Sequence, residues 1–240
     1  MFSGLEDRFE IRAVNTIGHD PRHPVTDGWP HLVSELIEQV ERRGEPVVGL
    51  GHSLGGYLTA LAALKRPALF RAIVLLDSPI LSPWRGTVFG MLKRFRFADR
   101  LTPAGLTRDR RAAWASPDDA YAHFRGKRAF RDFDPECLRD YVTLGMRQTP
   151  EGVSLAFDPA IEYRIYRSFP HDLARELPRL RVPAGVICGR ESTESRRMGL
   201  AATRRHFRVV RVPGGHLFPF EHPGETARAV REMIDALTGA

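Results

Sequence analysis

A serine between glycines stands where two strongly patterned segments of the chain meet. The motif is Gly-His-Ser-Leu-Gly at residues 51–55. The apolar run before it, residues 46–50, is typical of a strand covered on both faces, and residues 54–65 predict a helix. G-x-S-x-G between a strand and a helix puts Ser53 on a sharp turn, where its hydroxyl can act as a nucleophile. The amide of Leu54 at the helix N-terminus is the predicted oxyanion donor.

The predicted general base is His216, which follows a strand-like run at residues 207–212 through a Pro-Gly-Gly turn. A serine hydroxyl is a weak nucleophile until a base accepts its proton, and a neutral imidazole suits that role near pH 7. His19 and His23 also follow a strand-like run. No third metal ligand accompanies them, so we interpret both as solvated loop residues and expect no metal.

Strand-like and helix-like segments alternate around these candidates. Strands are predicted at residues 9–17, 46–50, 72–77, 184–189 and 207–212, and helices at residues 29–43, 54–65, 195–206 and 227–237. This alternation predicts an α/β fold with a mostly parallel sheet covered on both faces. Residues 79–170 show no clean strand and are too long for a bare loop, so they predict a helical insertion. The core is then formed by residues 1–78 and 171–240.

Composition excludes several other classes of protein. The chain has 240 residues, 42% of them hydrophobic and 27% charged, which suits a globular domain of ordinary size. Its net charge of +7 comes from scattered arginines without a nucleic-acid motif, so we expect no nucleic-acid partner. No apolar run is long enough for a membrane span, and no secretory signal is visible. Two cysteines cannot form a disulfide framework, so a cytoplasmic setting is expected.

Three segments of the sequence resemble the α/β-hydrolase family. They are VVGLGHSLGGYLTALAA at residues 47–63, VLLDSP at residues 74–79 and VPGGHLFPFEHP at residues 212–223. The resemblance implies a triad in the chain order nucleophile, acid, histidine, with Ser53 first and His216 last. It also implies that the insertion is a cap, or lid, over the active site. It does not fix the substrate, because this fold hosts many chemistries.

The acid of the triad has three candidates. In most members of the family it follows the strand before the histidine strand, in a G-x-x-D pattern, but here Ser192 occupies that position. A serine cannot stabilise an imidazolium by charge, and the nearby Glu191 and Glu194 are out of register. Asp77 ends the strand next to the predicted nucleophile strand, where some family members carry their acid. We therefore prefer Asp77, with Glu191 as the first alternative.

Aromatic residues of the insertion are expected to line an apolar substrate pocket that excludes water. The candidate substrate contacts are Trp84 and Trp114 of the insertion and His52 of the serine turn. A small-molecule substrate is the expected partner.

A second oxyanion donor comes, in the family, from a loop after an early strand. Only eight residues precede the predicted strand at residues 9–17. We therefore expect the first strands of the sheet to be missing and the oxyanion hole to keep the Leu54 amide alone.

Together these features predict a carboxylesterase-like serine hydrolase that cleaves an ester-like bond of an apolar small molecule. The reaction would pass through an acyl-enzyme and need no cofactor. A carbon–carbon hydrolase or a perhydrolase with the same triad is one alternative. A non-catalytic, ligand-binding relative of the hydrolases is the alternative from a different class.

Overall fold

The computed structural model describes residues 4–78, 80–94, 107, 110–198 and 204–239. Ten α-helices are found within these residues: α1 Pro30–Glu41, α2 Leu54–Lys65, α3 Pro83–Arg94, α4 Pro117–Arg125, α5 Pro135–Leu144, α6 Pro159–Arg167, α7 Leu173–Glu176, α8 Thr193–Met198, α9 Phe218–Glu221 and α10 Pro223–Thr238. The strands are β1 Val47–His52, β2 Phe70–Leu76, β3 Ala113–Trp114, β4 Met146–Thr149, β5 Gly152–Leu155, β6 Ala184–Gly189 and β7 Arg208–Val212. Short 3₁₀ turns occur at Pro67–Leu69, Arg128–Phe130, Leu177–Arg179 and Arg204–His206.

The main sheet has four parallel strands in the order β1-β2-β6-β7. Parallel strands end at the same edge of a sheet, and ligands bind at this edge in open α/β sheets. Ser53 directly follows β1 and Asp77 directly follows β2. His216 lies in the connection after β7. The sheet therefore delivers these three residues to one edge.

Both faces of the sheet are covered, as the alternation of strands and helices predicts. Side chains of β2 alternate between the faces, because successive residues of a strand point to opposite sides. Ile73 and Leu75 pack into one cluster with residues of α1 and α2. Val74 and Leu76 pack into a second cluster with residues of α10. Strand β1 forms one edge of the described sheet, and all its residues are half-buried.

Most of the predicted elements of the core are confirmed. The strand at residues 184–189 and the helix at residues 54–65 have the predicted bounds. The strands predicted at residues 46–50, 72–77 and 207–212, and the first and last helices, begin and end within a few residues of their predicted bounds. The helix predicted at residues 195–206 begins two residues earlier as α8. Residues 199–203 of that prediction lie outside the described part of the chain.

The prediction of a strand at residues 9–17 is wrong. All nine residues are described, none is in a strand, and most are exposed. Apolar, β-branched composition favours a strand only where another strand offers its backbone as a partner. The segment makes no ladder with β1, the strand at the near edge of the sheet.

The insertion at residues 79–170 contains the helices α3–α6 and, in addition, short strands that the sequence did not predict. It contains a separate antiparallel sheet in the order β3-β5-β4, with strands of two to four residues. A Pro-Glu turn joins β4 to β5, and Gly152 at φ 138° begins β5. Strands this short carry too little periodicity to be recognised from sequence. A third apolar cluster, with Trp114 and Val153 in it, packs around this sheet.

No helix among the described residues is long and apolar enough to cross a bilayer.

We predict that Leu75→Ala destabilises the protein by about 2–5 kcal/mol, because it leaves a cavity between the main sheet and the helices α1 and α2. Leu75 has no exposed surface. Leu144→Ala is the matched control, since Leu144 ends α5 and is 78% exposed. It should change the free energy of unfolding by less than about 0.5 kcal/mol. Urea-induced unfolding followed by circular dichroism measures both values. Equal losses in the two variants would contradict the assignment of β2 to the core.

Candidate active site

Ser53 lies on a strained turn between β1 and α2, with φ 52° and ψ −120°. Residues other than glycine rarely adopt a positive φ. Such backbone strain persists only where the surrounding structure enforces it. A Cβ on Gly51 would lie 2.5 Å from the backbone nitrogen of Gly56, and a Cβ on Gly56 would lie 2.6 Å from the carbonyl oxygen of Gly51. The Ser53 amide donates to the Leu76 carbonyl at 2.8 Å. Glycine packing and this hydrogen bond together hold the turn.

Ser53, His216 and Asp77 form a chain of hydrogen bonds. The Ser53 Oγ lies 3.1 Å from the Nε2 of His216, and the His216 Nδ1 lies 2.7 Å from the Oδ2 of Asp77. An ionised carboxylate only accepts hydrogen bonds, so Nδ1 of the neutral imidazole carries the proton and donates it to Asp77. Nε2 then has a free lone pair facing the serine hydroxyl. This arrangement allows His216 to accept the Ser53 proton.

Asp77 is buried, with 1% of its surface exposed and its backbone at φ 43°. Its amide donates to the Ile187 carbonyl of β6 at 2.8 Å, which fixes the turn after β2. A buried carboxylate is unfavourable unless it is hydrogen-bonded. Besides His216, the hydroxyl of Ser192 donates to its Oδ2 at 2.5 Å.

Three polar contacts hold the loop that carries His216. The Gly214 amide donates to the Glu191 carboxylate at 2.7 Å, and the Gly215 amide donates to the Glu221 carboxylate at 2.8 Å. The Nε2 of His52 donates to the His216 carbonyl at 2.8 Å. Glu191 thus binds the backbone of the loop, and the structure places Asp77 rather than Glu191 on the His216 imidazole.

The environment shifts the pKa values of two neighbouring groups. Burial, and next the positive charge that His216 can carry, lower the pKa of His52 to about 4. His52 is therefore neutral at pH 7, and its ring packs on the His216 ring at 4.9 Å. Burial, and next the charge of Asp77, raise the pKa of the Cys188 thiol to about 12. Cys188 is therefore protonated and offers no second nucleophile.

Leu54 and His52 flank Ser53, but they differ in whether they have a polar group available to bind a substrate. Leu54 is the first residue of α2, so its amide is among those that a helix leaves without an intrahelical acceptor. That position suits an oxyanion donor. His52 instead uses its Nε2 for the His216 carbonyl, so it contributes to positioning rather than presenting that nitrogen to a substrate.

The two tryptophans singled out in the sequence are not brought to Ser53 by any contact between described residues. Trp114 is 3% exposed and packs against His123 and Phe124 in the core of the insertion. This burial argues against the expected substrate contact. Trp84 is 65% exposed on α3, with the Arg85 guanidinium over its ring.

His19 and His23 do not share a site. The Nε2 of His19 accepts a hydrogen bond from the Asp158 amide at 3.0 Å. His23 is buried, against the expectation of a solvated loop residue, and lies 3.3 Å from the Glu38 carboxylate.

Sequence reasoning missed the contact between Ser192 and Asp77, which lie 115 residues apart. A signal existed, because β6 was predicted and the segment after it had to reach the same sheet edge. What the sequence did not show was that β6 pairs directly with β2. This pairing puts the residues after β6 against Asp77.

Comparison with known proteins finds relatives of similar sequence. A sequence model of the "Alpha/beta hydrolase family" matches residues 1–229. An abhydrolase domain-containing protein of Alternaria alternata, ACTT2-1, is 24% identical over 233 residues, covering 80% of this chain and 84% of that protein. The type I acyl-CoA thioesterase mpaH of Penicillium roqueforti (strain FM164) is 30% identical over 139 residues, covering 55% of this chain and 29% of that protein.

A solved structure shares the fold over almost the whole chain. The E-2-(acetamidomethylene)succinate hydrolase superposes with a TM-score of 0.76 at 21% identity, covering 98% of this chain and 84% of that one. The chain belongs to the α/β-hydrolase family, as the resemblance of its motifs implied.

We predict that Gly56→Ala lowers the free energy of unfolding of the protein by about 1–3 kcal/mol, because the new Cβ overlaps backbone and side-chain atoms of the serine turn. It would lie 2.0 Å from the Oγ of Ser78. The neighbouring Gly55→Ala is the control, since nothing lies within 4 Å of its new Cβ. It should be neutral, or stabilise α2 by up to about 1 kcal/mol. Urea midpoints of both variants decide the matter, and a neutral Gly56→Ala would refute the close packing of the turn.

Proposed function

We propose that the protein is a serine hydrolase that cleaves an ester-like bond through an acyl-enzyme. The observation that carries the proposal is the hydrogen-bonded chain from the Ser53 Oγ through His216 to Asp77. Its three members have the chemistry of nucleophile, general base and orienting acid. The strained turn and the free helix N-terminus beside Ser53 add the features that acyl transfer needs.

In the first half of the reaction, the Ser53 oxygen attacks the carbonyl carbon as His216 Nε2 takes the hydroxyl proton. The carbonyl oxygen becomes an oxyanion that the Leu54 amide stabilises. Asp77 stabilises the imidazolium that forms. His216 then gives its proton to the leaving alcohol or thiol, and the bond between carbonyl carbon and leaving group breaks.

In the second half, water attacks the acyl-enzyme with His216 again as the base. The carboxylic acid leaves, and the proton returns from His216 to Ser53. His52 is neutral at working pH, so it keeps its hydrogen bond to the His216 carbonyl without adding charge beside the imidazole.

The substrate we propose is a small, apolar ester or thioester. The name of the Penicillium relative, an acyl-CoA thioesterase, supports including thioesters. Both bond types use the same acyl-enzyme route. The insertion at residues 79–170, with its own sheet and apolar cluster, is proposed as the lid over the site.

We place the protein in the cytoplasm, because Cys137 and Cys188 are both free thiols.

The function is tested with nitrophenyl esters of increasing acyl length and the matching acyl thioesters. We expect Ser53→Ala and His216→Ala each to reduce turnover by about 10⁴-fold or more, because each removes a member of the triad. Ser34→Ala and His31→Ala on α1 are the controls and should keep wild-type turnover. Turnover within about tenfold of wild type in either triad variant would contradict the assignment.

We expect Asp77→Asn to reduce turnover by about 10³–10⁴-fold, because an amide cannot stabilise the imidazolium and favours the wrong tautomer. Glu191→Gln should cost about tenfold at most, since its amide oxygen can still accept from the Gly214 amide. Measured kcat values for the two variants separate the candidates. If Glu191→Gln were the crippling change, the acid would be Glu191, two residues after the end of β6.

A further inference from the structure

A second carboxylate lies beside His216 and is not needed by the triad. One ligand atom each of Asp77, Glu194 and His216 lie within 4.8 Å of one another. Asp77 is buried, and the other two are half-buried. Two carboxylates at this distance repel each other, and that repulsion is relieved when a positive charge forms between them. The imidazolium of His216 is such a charge.

The Ser192 hydroxyl lies near both carboxylates. It is 2.5 Å from the Asp77 Oδ2 and 3.4 Å from the Glu194 Oε2. A hydroxyl has one proton, and the shorter contact assigns it to Asp77. The Ser195 amide donates to the Ser192 Oγ at 3.3 Å, and the Thr193 hydroxyl donates to Glu194 at 3.1 Å. The start of α8 therefore holds Glu194 in place beside the Asp77–His216 pair.

We propose that Glu194 is a second carboxylate of the catalytic centre, which stabilises the protonated form of His216 through space and is held in position by the Thr193 hydroxyl. The proposal rests on the proposed function, since His216 becomes protonated when it accepts the Ser53 proton. Glu194 touches no reacting atom, so it acts as a positioning and electrostatic residue. Its negative charge lies at the start of α8.

The other ionisable groups around His216 do not replace this effect. From β1, His52 is neutral above its lowered pKa of about 4. From β6, the Cys188 thiol stays protonated, although Arg211 of β7 opposes the rise of its pKa. Glu191 and Glu221 bind the Gly214 and Gly215 amides, so they face the backbone of the loop. Asp77 bonds Nδ1 directly, and Glu194 is the further carboxylate clustered with that pair.

Removal of the Glu194 charge should have two separate effects. A nearby negative charge favours the imidazolium, so its removal makes His216 harder to protonate. The titration midpoint of His216 and the acidic limb of the pH–rate profile should therefore move to lower pH. The same loss makes the transition state less stable, so the plateau of kcat/KM should fall. Simple disruption of packing would lower the plateau without moving the limb.

The test compares wild type with Glu194→Gln and Glu194→Ala, which both remove the charge. Glu232→Gln, on an exposed position of α10, removes the same charge elsewhere and is the control. Nuclear magnetic resonance of labelled histidine follows the His216 imidazole, whose signal is assigned by its loss in His216→Ala. We expect its midpoint to fall by about half to one pH unit in both Glu194 variants. The plateau of kcat/KM for a nitrophenyl ester should fall about three- to tenfold.

Each outcome decides the proposal. A lower midpoint in both Glu194 variants, with Glu232→Gln unchanged, supports it. An unchanged His216 midpoint in the Glu194 variants overturns it, and so does an equal shift in the control. Measuring the titration midpoint of His216 requires no enzyme turnover. If the protein hydrolyses no ester, the proposed function is refuted. The nuclear magnetic resonance titration would still test whether the charge of Glu194 acts on His216.

Discussion

The site depends on the hydrogen bond between the buried carboxylate of Asp77 and the Nδ1 of His216. A carboxylate with 1% of its surface exposed needs hydrogen-bond donors, and His216 and Ser192 provide them at 2.7 Å and 2.5 Å. This bond also selects the tautomer of His216, which leaves Nε2 free to face the Ser53 hydroxyl. Without Asp77, neither the orientation of the imidazole nor its stabilisation after proton transfer would be set.

The sheet makes this hydrogen bond possible by placing β2 between β1 and β6. Ser53 and Asp77 directly follow the neighbouring strands β1 and β2, and the segment with Ser192 and Glu194 follows β6. His216 follows β7, which lies at the opposite edge of the sheet from β1, so separate hydrogen bonds must hold its loop in place. Glu191, Glu221 and His52 supply these hydrogen bonds to the backbone of the loop.

Much of this arrangement could be predicted from the sequence, because it depends on local signals. The serine turn has its glycines at fixed spacing, and β6 and α2 have the periodicity and flanking residues of their type. Placing Asp77 at the end of a strand next to β1 required only the usual pairing of consecutive parallel strands.

The remainder depends on contacts between distant parts of the chain. Residues 9–17 have strand composition but pair with no strand in the described structure. Whether Trp114 belongs to a core or a pocket is decided by the packing of the insertion, which no local pattern reports. The bond from Ser192 to Asp77 follows from the pairing of β6 with β2 across an insertion. No local pattern in the sequence shows that β6 pairs with β2 rather than with another strand.

The central claim, that Ser53 is an activated nucleophile, is tested most directly by labelling the folded protein with a fluorophosphonate and measuring its intact mass. This account predicts one adduct, mapped to Ser53, that is absent from urea-unfolded protein and from Ser53→Ala. In the folded protein, the hydrogen bond to His216 distinguishes Ser53 from the other serines that the structure describes. Folded protein without an adduct would contradict the account and favour a non-catalytic, ligand-binding member of the family.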